Sequence, residues 1–177
     1  LAALVVADAV PSVAAMRWLR TRALTTMTGM GAHDHVALTV DDGPHPETTP
    51  RFLEAFAEAG VSATFFVLGE RLHRWPELGE QLVAAGHDIA VHGWTHRPHL
   101  LRTPADVASD IRRAHDRLAE ATGVTPRFWR PPHGIPTSTG RITARRLGMR
   151  TVLWSADGRD WRRRATPATV TEKVTAQ

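Results

Sequence analysis

From residue 36 onward, short apolar runs alternate with longer stretches whose apolar residues recur at helical spacing. Residues 36–40, Val-Ala-Leu-Thr-Val, read as a strand ending at Asp41. Phe52, Leu53 and Phe56 share one face of a helix predicted over 48–59, which Gly60 stops. Residues 63–68 form a buried-type strand, 76–85 a helix closed by Gly86, and 88–91 the next strand. The longest helix is predicted over 104–122, with Thr103 as N-cap, Pro104 at its first position and Gly123 after it. A short strand over 128–130, a helix over 138–147 stopped by Gly148, and a strand over 151–155 follow. Thr166-Pro167 opens a last helix over 166–177.

Strand–helix alternation at this spacing predicts parallel β/α units. The polar residues with chemical potential fall just after the strands: Asp41 and Asp42, His92 and His96, Arg130, then Asp157 and Asp160. In β/α barrels that C-terminal edge carries the active site. Five strands are predicted, and a closed barrel needs more. Residues 1–16 are apolar-rich but interrupted by Asp8 and Pro11, and too short to span a bilayer alone. They read equally as the tail of a signal or anchor segment and as an amphipathic helix lying on the domain. Leu1 as first residue points to a start inside a longer chain. The expected division is an N-terminal apolar and basic segment over 1–32 and a domain over 33–177.

Composition changes this picture only by exclusion. The 177 residues are 42% hydrophobic and 23% charged, the balance of a soluble globular protein. The net charge of +4 comes from arginine, since Lys173 is the only lysine. The arginines lie in separate clusters (17, 20 and 22; 141, 145 and 146; 162–164), which argues against one nucleic-acid face. An anionic cell wall or membrane surface stays compatible with them. No cysteine is present, so disulfides and thiol chemistry are excluded, and any metal must be held by His, Asp or Glu.

Each candidate motif has a plain structural reading beside its chemical one. Asp41-Asp42-Gly43-Pro44 alone is a surface turn, although a turn there brings two carboxylates to one mouth for different tasks. His92 and His96 are four residues apart and follow a buried strand, which raises them above an ordinary surface pair. Beside one Asp they complete a two-histidine, one-carboxylate set with open coordination positions. His87 reads as a turn residue and His99 as loop, neither as a ligand. Arg130-Pro131-Pro132-His133-Gly134 is a rigid loop able to aim a backbone N–H at a developing oxyanion, with Arg130 free to pair a carboxylate. Asp157-Gly158-Arg159-Asp160-Trp161 is either a sugar-binding wall or a turn with a core tryptophan. Trp94, Trp129 and Trp154 read as core.

Together these segments resemble the polysaccharide deacetylase family, the NodB-like domain of carbohydrate esterase family 4. Thr39-Val40-Asp41-Asp42-Gly43-Pro44 matches its Thr-Phe-Asp-Asp-Gly-Pro motif, and His92 to His96 its His-x-x-x-His motif. Arg130 to Gly134 matches Arg-Pro-Pro-x-Gly, and Asp157 to Trp161 matches Asp-x-x-Asp-Trp. The resemblance implies an α/β fold, a deformed (β/α) barrel that is incomplete at the C-terminus in this chain. It implies a divalent metal, usually zinc, and N-deacetylation of an acetylated amino-sugar polymer or oligosaccharide at the cell envelope, with no nucleic-acid partner. Asp42, His92 and His96 would be the ligands and Asp41 the general base. Arg130 would orient Asp41, and the His133 N–H would help hold the oxyanion. Asp160 would tune the catalytic acid, while Pro132 and Trp161 would contact substrate. The family's acid is a histidine in a Leu-x-His motif on a strand expected beyond Gln177. Gly93 replaces a frequent Ser or Thr, which removes one hydrogen bond expected to orient the ligand loop, and His133 replaces a common Tyr. A non-catalytic carbohydrate- or metal-binding domain and an amide or imide hydrolase remain the alternatives.

Overall fold

A computed structural model describes Asp8 and residues 36–176. Five parallel strands, β1 (Thr39–Gly43), β2 (Thr64–Val67), β3 (Asp88–Val91), β4 (Phe128–Trp129) and β5 (Arg150–Thr151), pair in sequential order. Helices join them: α1 (Thr49–Ala59), α2 (Gly69–Arg74), α3 (Pro76–Ala84), α4 (Pro104–Thr122), α5 (Ser138–Arg146) and α6 (Pro167–Thr175). A sheet that always adds its next strand on the same side is the wall of a (β/α) barrel. The expected fold class therefore holds.

The core lies between sheet and helices. Phe65, Val67, Ile89, Val91 and Trp129 from the strands meet Leu72, Leu82, Val107, Ile111, Ala114 and Leu118 from the helices. The α4 boundaries fall where the sequence puts them. Thr103 Oγ1 accepts from the Asp106 N–H at 3.2 Å, Pro104 occupies the first turn, and Gly123 closes the helix at φ 67°.

Beyond shifts of one or two residues, three elements differ from expectation. The first strand is Thr39–Gly43 rather than 36–40, because its ladder with β2 starts at Thr39, and Val36 is 92% exposed. It also runs through Asp41, Asp42 and Gly43, where a turn was expected. β5 has two residues instead of five, since its partner β4 is itself cut short by Pro131-Pro132. The short helix α2 carries no periodic signal in the sequence. Tertiary contact forms it: the Gly69 and Glu70 N–H groups donate to the Gly93 and Trp94 carbonyls at 2.9 and 3.0 Å. The two readings of the segment over 1–32 lie outside the described residues, except at Asp8, whose carboxylate accepts from the Thr139 N–H in the first turn of α5 at 2.6 Å. Among the described residues, no helix is long and apolar enough to cross a membrane.

Candidate metal centre

Neighbouring side chains on a strand point to opposite faces, so two adjacent carboxylates do not normally share a mouth. A bulge at the end of β1 resolves this. Asp41 pairs with Phe66 and Gly43 with Val67, which leaves Asp42 as the extra residue, at φ 67°. The Asp42 carboxylate is thereby turned toward the end of β3, and Asp41 toward Arg130.

Asp42 Oδ1 lies 3.3 Å from His92 Nε2 and 3.3 Å from His96 Nε2. These three atoms all fall within 4.8 Å of one another. His92 is buried, and its Nδ1 lies 2.8 Å from the Arg130 carbonyl. A carbonyl only accepts, so Nδ1 carries the proton and Nε2 presents a lone pair to the site. Asp42 Oδ1 is itself buried with no hydrogen-bond partner. An ionised carboxylate oxygen this close to two imidazole nitrogens calls for a proton or a cation between them, and the donor set of one carboxylate and two imidazoles fits a divalent transition metal. Burial disfavours the charge on Asp42, but with no metal between them a hydrogen bond from His92, the positive charge of His92 and His96 when protonated, and that of Arg71 outweigh it and hold the carboxyl below its ordinary range. Burial likewise lowers the pKa of His96, against the opposing pull of Asp42, and keeps it in the neutral form that ligates.

Arg130 is 2% exposed and is held on every side. Its Nη1 donates to Asp41 Oδ1 at 2.5 Å and to Thr39 Oγ1 at 3.0 Å. Its Nε and Nη2 donate to the Val152 and Leu153 carbonyls at 3.3 and 3.0 Å. The guanidinium lies 3.9 Å from the Phe66 ring centroid. Asp41 is therefore fixed in direction by a buried cation, yet is 30% exposed toward the mouth.

The Pro131-Pro132 loop closes one side. His133 sits at φ 59° and is exposed, with its ring centroid 4.3 Å from that of His96. Pro132 is buried beneath it. Gly134, at φ 67°, lets the Trp154 ring approach so closely that a Cβ would stand 2.4 Å from it. Asp41, Asp42, His92, His96, Arg130, Pro132 and His133 are thus gathered at one end of the sheet. Asp160 and Trp161 are not tied to them by any hydrogen bond, ion pair or ring contact. Asp160 is exposed, and Trp161 is 74% exposed with the Arg162 guanidinium 5.4 Å from its ring.

Two residues acquire a place that the sequence reading did not give them. His99, read as loop, is fully buried and stacked on Trp129 at 6.0 Å. Asp110 is 4% exposed on the core face of α4, beside Val107, Ile111 and Ala114. Its Oδ2 accepts from the Trp94 N–H at 2.6 Å and its Oδ1 from the Thr95 hydroxyl at 3.3 Å. The signal was available: a carboxylate in the apolar stripe of an amphipathic helix must have a buried partner.

A family model described as polysaccharide deacetylase matches residues 29–152. The chitooligosaccharide deacetylase of a Bradyrhizobium species is 42% identical over 130 residues, covering 72% of this chain and 59% of that protein. The peptidoglycan-N-acetylglucosamine deacetylase PgdA of Listeria monocytogenes is 33% identical over 141 residues, covering 80% of this chain and 29% of that protein. The chain therefore spans about three fifths and less than a third of the length of these two curated relatives. A family 4 carbohydrate esterase from Streptomyces lividans, solved in complex with acetate, superposes with a TM-score of 0.77 at 32% identity, over 83% of this chain and 76% of that one.

Proposed function

The chain belongs to the polysaccharide deacetylase family, and from that premise we propose that it hydrolyses the N-acetyl groups of an amino-sugar polymer or oligosaccharide. One observation carries the reading. Three metal-ligating atoms of Asp42, His92 and His96 converge beside a carboxylate, Asp41, whose direction is set by the buried Arg130. Asp42 Oδ1 and the Nε2 atoms of His92 and His96 would hold the metal, and nitrogen-rich ligation of this kind suits zinc. When bound, the ion supplies Lewis acidity and a nucleophilic water at neutral pH.

The chain's own groups perform the rest. Asp41 takes the proton of the attacking water at its carboxylate, and Arg130 keeps that carboxylate aimed at the mouth. The His133 backbone N–H donates to the acetyl oxygen as negative charge develops on it. The departing amine must gain a proton before it leaves. In this reading Asp160 would tune the acid and Trp161 would line the acetyl pocket. A peptidoglycan substrate would put the work of the protein at the cell envelope.

The alternative is a non-catalytic carbohydrate- or metal-binding domain on the same scaffold. The test is zinc content and acetate release, from N-acetylglucosamine oligomers and from peptidoglycan. It is run on this chain and on a form extended past Gln177, after metal removal and zinc reconstitution. Acetate from the zinc-loaded protein, lost in Asp41→Asn with zinc retained, is the expected result. Zinc in both forms with acetate from neither would establish the binding reading instead.

A further inference from the structure

The two histidine ligands are unequally supported. His92 is oriented directly, through its Nδ1 hydrogen bond to the Arg130 carbonyl at 2.8 Å. His96 is half-exposed, and its Nδ1 makes no hydrogen bond among the described residues. Something else must fix where its imidazole points. Metal-binding histidines are commonly oriented by an outer group, and loss of that group loosens the metal.

We propose that Asp110, on α4, is the positioning residue for His96, acting through the backbone of the ligand loop. The proposal rests on the reading of Asp42, His92 and His96 as a metal site. Asp110 Oδ2 holds the Trp94 N–H at 2.6 Å, and Oδ1 holds the Thr95 hydroxyl at 3.3 Å. Those are the two residues immediately before His96. From the other side, Gly69 and Glu70 at the start of α2 donate to the Gly93 and Trp94 carbonyls at 2.9 and 3.0 Å. Trp94 is consequently gripped at both its N–H and its C=O.

Asp110 is itself fixed. Arg102 Nη1 donates to Oδ1 from the surface side, and His99 Nε2 lies 3.7 Å from Oδ2 in the core. The loop is shaped to admit the carboxylate. Gly93 is at φ 107°, and a Cβ there would stand 2.9 Å from Asp110 Oδ2. The hydrogen bond that a side chain at 93 was expected to supply to this loop is thus replaced by one from α4, across a gap that only glycine leaves open.

Asp110→Asn keeps the size of the side chain and removes its charge, and Asp110→Ala removes the acceptor. Zinc affinity is measured by chelator competition on the full chain, with the visible spectrum of the cobalt-substituted protein as a second readout of ligand geometry. Unfolding of the metal-free protein is followed by far-UV circular dichroism. We expect about 10- to 100-fold weaker zinc binding and an altered cobalt spectrum in a variant that is still folded. Wild-type affinity and an unchanged cobalt spectrum in a folded Asp110→Ala would overturn the proposal while leaving the metal site standing. Absence of zinc binding by the wild type would overturn the metal site and this proposal with it. Should both substitutions unfold the chain, Arg102→Gln addresses the same carboxylate from a position 23% exposed. Several-fold weaker zinc binding by that variant would support the proposal, and unchanged binding would overturn it.

Discussion

The loop after β3 and the loop after β5 were equally conspicuous as sequence motifs, and the protein supports them very differently. The His92–His96 loop is held by β2, by the first turn of α2 and by Asp110 of α4, with Arg130 behind it. The Asp157–Trp161 loop leaves a two-residue strand and carries an exposed Asp160 and Trp161. A motif states which residue types are available. Orientation comes from elements elsewhere in the chain: strands and helices hold the first loop by backbone and carboxylate hydrogen bonds, whereas the second packs at Gly158 against Val170 and Val174 of α6 and leaves Asp160 and Trp161 exposed.

The comparison breaks most visibly at the ligands. Asp42→Ala, His92→Ala or His96→Ala is expected to abolish zinc retention through gel filtration, measured as metal content. Full zinc stoichiometry in any of the three would remove that residue from the site. Asp41→Asn is expected to keep zinc and to lower the rate of acetate release by roughly 10²- to 10⁴-fold, the usual contribution of a positioned base. A variant with near wild-type turnover would mean that the proton goes elsewhere.

Arg130→Met tests how much of the support is electrostatic. It strands Asp41 and leaves the Val152 and Leu153 carbonyls without their donor. A loss of about 3 kcal/mol is expected from urea unfolding, the low end for breaking a buried pair because Asp41 is partly solvated. A shift indistinguishable from zero would show that water replaces the guanidinium.

Asp110 sharpens the comparison through pH. Burial opposes its ionisation, but His99, Arg102 and the Trp94 N–H together bring its pKa down to about 2 from an ordinary 3.8. A carboxylate with a depressed pKa gives stability that is present above 3.8 and disappears as pH falls toward 2. About 2 kcal/mol of acid sensitivity in that window should vanish in Asp110→Asn, compared by denaturant midpoints at pH 5 and at low pH. The smallest effect is expected from Trp161→Ala, within about 0.5 kcal/mol of wild-type stability and with unchanged zinc affinity. A larger loss would mean that the exposed loop is braced after all.

Much of the fold was legible because it rests on local rules. The α4 boundaries follow from Thr103, Pro104 and Gly123, whose backbone preferences act within one helical turn. The strand order follows from alternation of β-rich runs and helical periods. Helix α2 was not legible, because its first N–H groups are satisfied by carbonyls of a loop more than twenty residues away in sequence. Strand β5 was overcalled because apolar composition does not say how long the neighbouring strand will be.

For the site, the sequence by itself determined the residue types, their order and their position at strand ends: Asp41 and Asp42 after one apolar run, His92 and His96 after another, Arg130 before a double proline. Tertiary structure decided where each carboxylate points, Asp42 toward His92 and His96 and Asp41 toward Arg130. The bulge that places Asp42 at φ 67° exists only because β1 must stay in register with β2 on either side of it. It also decided that His99 and Asp110 belong to the support of the site, since burial and hydrogen bonding across the sheet edge depend on distances that no local stretch of sequence encodes.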